Sequence, residues 1–176
     1  YNFTEANPDF HLDLIGFDAC LMATYEAAAH MQYYADFMVA SEELEPSLGW
    51  NYAWLNALGE NPALDAQGIG VAIADAYMEA CLGENPDDYL SMSVLYLPAM
   101  DYLVSTMETY ASYLSQALDA GQLSTFSRAR QRMYAFGDFD SATSDMVDMM
   151  ALIDGTRTIA PQTADVLQTA YERVVR

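Results

Sequence analysis

Short apolar runs and helical patterns alternate over the first hundred residues, and the remainder reads as helical throughout. Residues 1–10 are polar and aperiodic and predict a loop. "LDLIGF" (12–17) is apolar at most positions and ends against a turn, the pattern of a strand buried in a parallel sheet. "LMATYEAAAHMQYY" (21–34) is alanine-rich, lacks Gly and Pro, and predicts a helix. "DFMVAS" (36–41) predicts a second strand, after which Pro46 and Gly49 impose an irregular loop. Helices are expected over 51–58 and 66–82, with Gly68 and Gly70 weakening the first turn of the latter. "YLSMSVLYL" (89–97) predicts a third strand ending at Pro98. Leu103, Met107, Tyr110, Leu114 and Leu118 recur at spacings of three and four, which predicts an amphipathic helix over 99–119 that Gly121 ends. Further helices are expected over 122–135, 144–153 and 161–175, with a loop at "GDFDSATS".

This order describes an α/β fold whose sheet part spans 1–97 and whose helical C-terminal part, 98–176, packs on the same domain. Two or three apolar strands make a poor sheet alone, because a buried parallel strand needs hydrogen-bonded neighbours. More strands are therefore expected from a segment N-terminal to Tyr1. The opening "YNFTEANPDF" has no initiator Met and no signal-peptide pattern, so Tyr1 reads as an internal start, at a processing cut or an arbitrary boundary.

Composition narrows the partners. With 26 acidic and 6 basic residues the formal charge is -20, which repels nucleic acid and attracts cationic substrates, basic peptides or divalent ions. A solubilising acidic surface accounts for the same number. No apolar run reaches the roughly 18–20 residues of a membrane span. Cys20 and Cys81 are too few for a disulfide scaffold and match no zinc spacing.

Cys20 falls where the chain leaves a strand and enters the expected helix, the place where open α/β sheets put catalytic groups. A helix N-terminus there would favour a thiolate by on the order of 1 kcal/mol. A buried structural cysteine is the competing reading. Asp18, two residues earlier on an extended backbone, projects on the same side. A carboxylate is a poor activator of a thiol and a good holder of a cation, such as a Lys or Arg side chain; the alternative is a helix cap. A cysteine nucleophile needs a base. His11 precedes the strand and should lie more than about 20 Å away at ~3.3 Å per residue. His30 lies ten residues on, roughly 15 Å along a helix. Neither can serve Cys20 within one subunit, so the base is expected on another polypeptide.

"IGFDACLMATYEAA" followed by "ADFMVASEELEPSLGWNY" resembles the clostripain family of cysteine endopeptidases, relatives of caspases, gingipains and legumain, over about residues 12–54. The resemblance implies a caspase-like α/β/α sandwich with Cys20 as catalytic nucleophile. It also implies a chain cut between histidine and cysteine, this being the heavy chain and its partner a light chain that carries the His and the remaining strands. Cleavage after Arg or Lys at P1 is implied, with Asp18 lining the S1 pocket. Ser41, Glu42, Glu43, Glu45 and Trp50 are expected on the pocket's other wall. Self-processing near Tyr1 and location outside the cell, secreted, periplasmic or on a bacterial surface, are family expectations.

Calcium enters only by family analogy and no cofactor is otherwise expected, because "DFDSATSDMVDM" (138–149) fails as an EF-hand loop at Ala142, Thr143 and Met149. Cys81, late in an apolar helix, is read as a core residue. Two other classes remain: a non-catalytic peptide-binding protein on the same fold, and an unrelated acidic α/β module with a structural cysteine.

Overall fold

The computed structural model describes residues 10–84, 89–137 and 146–176. The expected N-terminal loop, the "NPDD" helix stop and most of the 138–149 acidic stretch lie outside the described residues. Two compact units divide near Pro98, the first also taking in Arg176, the second running Ala99–Val175.

In the first unit β1 (Leu12–Gly16), α1 (Tyr25–Met31) and β2 (Ala35–Ala40) are followed by a 3-10 turn (Tyr52–Trp54), α2 (Leu55–Glu60), α3 (Ala66–Glu84) and β3 (Ser93–Tyr96). The sheet has the order β1-β2-β3. β1 and β2 are parallel, from Leu12 opposite Ala35 to Gly16 opposite Val39. β3 runs antiparallel to β2, with Phe37 opposite Tyr96, so the sheet is mixed. β2 is central, and Ala35, Met38, Val39 and Ala40 are fully buried. Val39, Ile73 and Val94 form a core that Leu14, Phe37, Trp50, Trp54, Ile69 and Met92 complete, so α3 covers one face of the sheet. The first turn of α3, uncertain from its glycines, is helical from Ala66, and Gly70 lets the helix settle on Val39 and Val94. β1 is less buried than expected, with no fully buried residue, because among the described residues only β2 pairs with it. Arg176 N–H donates to Val94 O at 2.9 Å, and its guanidinium lies over the Tyr96 ring.

The helix expected from residue 21 begins at Tyr25. Leu21 adopts a positive φ of 61°, and Ala23 N–H donates to Ser41 O at 2.9 Å, which keeps residues 22–24 extended beside the loop after β2. Thr24 then caps α1 by accepting from Ala27 N–H.

The second unit holds α4 (Met100–Ala117), a wide turn (Leu118–Gln122), α5 (Leu123–Arg130), α6 (Met149–Thr156) and α7 (Pro161–Val174). Gly121, with φ 98°, marks the break after α4 where the sequence places it. The predicted stripe faces inward: Leu103 and Tyr110 are buried with Ile153, Leu167 and Ala170. The Tyr110 hydroxyl bonds to Thr156 Oγ1, so the one aromatic polar tip in that core is satisfied. Asp148 caps α6, accepting from Ala151 N–H at 2.7 Å. No described helix is long and apolar enough to cross a membrane.

Candidate active site

The parallel pair β1–β2 delivers two chain segments to one end of the sheet. Phe17 N–H still donates to Val39 O at 3.0 Å, after which the chain turns through Asp18, Ala19 and Cys20. Leu21 N–H donates to Glu43 O at 3.2 Å, tying this turn to the loop that leaves β2. A left-handed leucine is strained. That strain directly follows an exposed thiol.

Cys20 is not at a helix N-terminus, because α1 starts five residues later. Its Sγ instead accepts from the backbone N–H of Glu45 at 3.2 Å and lies 3.8 Å from Glu45 O. The expected helix N-terminus is thus absent at Cys20, and a single backbone amide points at its sulfur instead.

Asp18 is held from the far side of the same loop. Its Oδ1 accepts from Trp50 N–H at 3.0 Å and its Oδ2 from the Tyr52 hydroxyl at 3.3 Å. Gly49 makes this approach possible: its φ is 65°, and a Cβ there would stand 3.1 Å from Asp18 Oδ1. The Trp50 indole packs against Gly16, where a Cβ would stand 2.7 Å from the ring. Tyr52 carries no sequence signal beyond its place in "GWNY", and sequence reasoning passed it over.

The expected wall residues separate into two groups. Ser41 is fully buried; its hydroxyl donates to Glu43 O at 2.9 Å and accepts from Glu43 N–H at 3.1 Å. Glu43 is buried too, with Oε1 accepting from Leu44 N–H. Glu42 contributes its backbone N–H to Ser91 Oγ at 2.9 Å, and Glu43 N–H reaches the same oxygen at 3.0 Å. Ser91, which nothing in the sequence singled out, is therefore the post on which the loop is fixed. Ser91→Ala leaves the part-buried Glu42 N–H without its acceptor and Glu43 N–H with Ser41 Oγ alone, and at about 1 kcal/mol for such a loss the denaturation midpoint should fall while secondary structure persists.

Glu45 and Trp50 form the second group, beside Asp18. Both Glu45 carboxyl oxygens are buried without a hydrogen-bond partner, as is Trp50 Nε1. Burial pushes the Glu45 carboxyl up to about 7; the Trp50 indole works against this, and the Asp18 charge adds to it. Because neither oxygen meets hydrogen-bond geometry, the indole acts only as a nearby dipole. Two further buried polar atoms without partners, Trp54 Nε1 and the Tyr77 hydroxyl, lie on elements that pack against this region. Tyr77 is fully buried, and burial, then Cys81 and Glu45, push its phenol upward.

The remaining candidates lie elsewhere. His11 Nε2 is 3.0 Å from Asp36 Oδ1, at the opposite end of the parallel pair. His30 ends α1 against the Tyr34 ring. Neither of the chain's two histidines reaches Cys20. Cys81 is buried in α3 and forms no disulfide. Among the described residues no three His, Cys, Asp or Glu side chains are grouped to hold a metal ion.

An exposed thiol and two carboxyl groups, gathered where a parallel pair ends, are the features on which known proteins can be compared. The family model described as "Clostripain family" matches residues 4–175. Among solved structures the chain is similar to an inactive zymogen C11 protease from Parabacteroides distasonis, with TM-score 0.70 and 17% identity, covering 98% of this chain and 45% of that one. A secreted C11 cysteine protease from Bacteroides thetaiotaomicron in complex with an irreversible peptide inhibitor gives TM-score 0.67 and 18% identity, covering 94% and 44%. A cysteine protease of B. fragilis gives TM-score 0.57 and 17% identity, covering 98% and 69%. No curated protein matches. The chain spans less than half the length of the first two relatives, and at these identities the likeness shows the fold: the caspase-like α/β architecture of C11 proteases. With the family model matching nearly its whole length, the chain belongs to the clostripain family.

Proposed function

We propose that this chain is the nucleophile-bearing part of a cysteine endopeptidase that cleaves after Arg or Lys, with Cys20 as nucleophile. The observation that carries this reading is the convergence of the exposed Cys20 thiol with the Asp18 and Glu45 carboxyls at one end of the β1–β2 pair. A cationic P1 side chain lying between the carboxyls would place its own carbonyl near Sγ, and a guanidinium matches such oxygens well. The strongly acidic chain would draw basic substrates toward it.

Cys20 Sγ forms a bond to the scissile carbonyl carbon, and the Cys20 backbone amide helps hold the oxyanion. The C–N bond then breaks as a histidine protonates the departing amine. Water, giving its proton to the same histidine, cleaves the thioester and frees the carboxylate product. Because His11 and His30 stand elsewhere, this histidine belongs to a segment outside the chain, either a separate light chain or a preceding stretch of the same polypeptide. That segment would also supply strands to the open edge of β1. Export from the cell is supported by the relative described as secreted.

The test is a peptide panel with Arg, Lys, Asp or Leu at P1, offered to the full-length protein. Cleavage after Arg or Lys alone supports the reading. Indifference to P1 removes the role of the carboxyls, and an assembled protein that binds these peptides uncut is a peptide-binding member of the same fold.

A further inference from the structure

We propose that Glu45 is a specificity-determining carboxyl that works by proton exchange, holding a proton while the pocket is empty and releasing it when a cationic side chain enters between it and Asp18. This rests on the reading of the pocket as the seat of the P1 cation. In the empty pocket Asp18 already has a donor on each oxygen, Trp50 N–H and the Tyr52 hydroxyl. Glu45 has none on either buried oxygen. A second carboxylate there, beside the first, is penalised both by burial and by like charge, whereas the acid form is neutral and brings a donor of its own. The groups acting on its carboxyl are Asp18, which disfavours a second charge, and the Trp50 indole and Ala19 backbone N–H, which offset part of the burial; Tyr77 on α3 lies near, and the Cys20 thiol lies against Glu45's own backbone. None of these is a cation, and Tyr77, fully buried with its hydroxyl unpartnered, offers one neutral polar tip toward the same space.

An arriving guanidinium reverses the balance. It brings N–H donors and a positive charge to both carboxyls, so Glu45–H plus the cation becomes Glu45 carboxylate paired with the cation, and one proton passes to solvent. Burial, the chief cause, places the empty-site titration at about 7. Affinity for a cationic side chain should therefore rise with pH, by about tenfold between pH 6 and pH 8, while that for a neutral one stays flat. The empty protein follows the same linkage. The folded state holds this proton more tightly than the unfolded chain, so its contribution to stability is lost as pH rises from the ordinary carboxyl range through about 7. Glu45→Gln should raise Tm at pH 8 and change it little near pH 4.

The experiment is titration calorimetry on the full-length Cys20→Ala protein, with an acetylated tetrapeptide ending in arginine amide and its citrulline counterpart. Each is run at pH 6 and 8.5 in buffers of different ionisation enthalpy. The expected result is nearly one proton released per arginine peptide at pH 6 and almost none at pH 8.5. In Glu45→Gln that release disappears, and the Tm comparison shows the variant folded. Arginine binding without proton release, or release that persists in Glu45→Gln, overturns the proton exchange and leaves the P1 reading standing. Equal binding of arginine and citrulline peptides at both pH values overturns both.

Discussion

On the proposed mechanism, Cys20→Ala in the full-length protein should lower kcat for peptide cleavage about a millionfold, the scale of loss that follows removal of the atom that bonds to substrate. The size of this effect follows from the site's economy. Among the described residues no other cysteine or serine is placed to act there: Ser41 is fully buried and committed to Glu43 and Ser91, and Cys81 is buried in α3. The substitution should leave the fold intact. Cys20 is exposed, and its one short polar contact, from Glu45 N–H, lies at the surface where water can replace it. Loss of activity with an unchanged melting curve is thus the expected pair of results, and a rate assay beside calorimetry reads both.

On the same reading, Asp18→Asn should act on selection and spare the chemistry. The amide has the shape of the carboxylate and can still accept from Trp50 N–H, so Gly49 and Trp50 keep their places, but the charge that pairs with a cationic side chain is gone. Removing one partner of such a pair costs about 2–3 kcal/mol, or roughly 30- to 150-fold in kcat/KM for Arg and Lys substrates. A Leu substrate should change little. On the proposed reading the remaining preference for cations would rest on Glu45, so the double variant with Glu45→Gln should approach indifference to P1. Kinetics on Arg, Lys and Leu peptides separate this from general damage, which would lower all three together.

Much of this was legible in the sequence because it rests on short-range pattern. An apolar run that stops at Asp18 and Cys20 announces a strand end, and the stripe through Leu103 and Tyr110 announces a buried helix face. The start of α1 was misread because alanine-rich residues favour helix in isolation, whereas the Ala23–Ser41 and Leu21–Glu43 backbone bonds hold residues 21–24 out of it. Those partners lie some twenty residues away, beyond any propensity. The same holds for the antiparallel setting of β3 and for Ser91, whose role exists only once β3 approaches the loop after β2. Four acidic or hydroxyl residues in "SEELE" look equivalent as letters. Only the path of the loop sends Ser41 and Glu43 into its own bonding and Glu45 toward Asp18.

The most direct test of the central claim is mass-spectrometric mapping of the full-length protein after treatment with a peptide carrying Arg at P1 and an electrophilic ketone in place of the scissile bond. The account predicts a single adduct on Cys20, suppressed by excess Arg peptide, with Cys81 unmodified. An adduct on Cys81, or none on Cys20 while the same preparation cleaves Arg peptides, would contradict it.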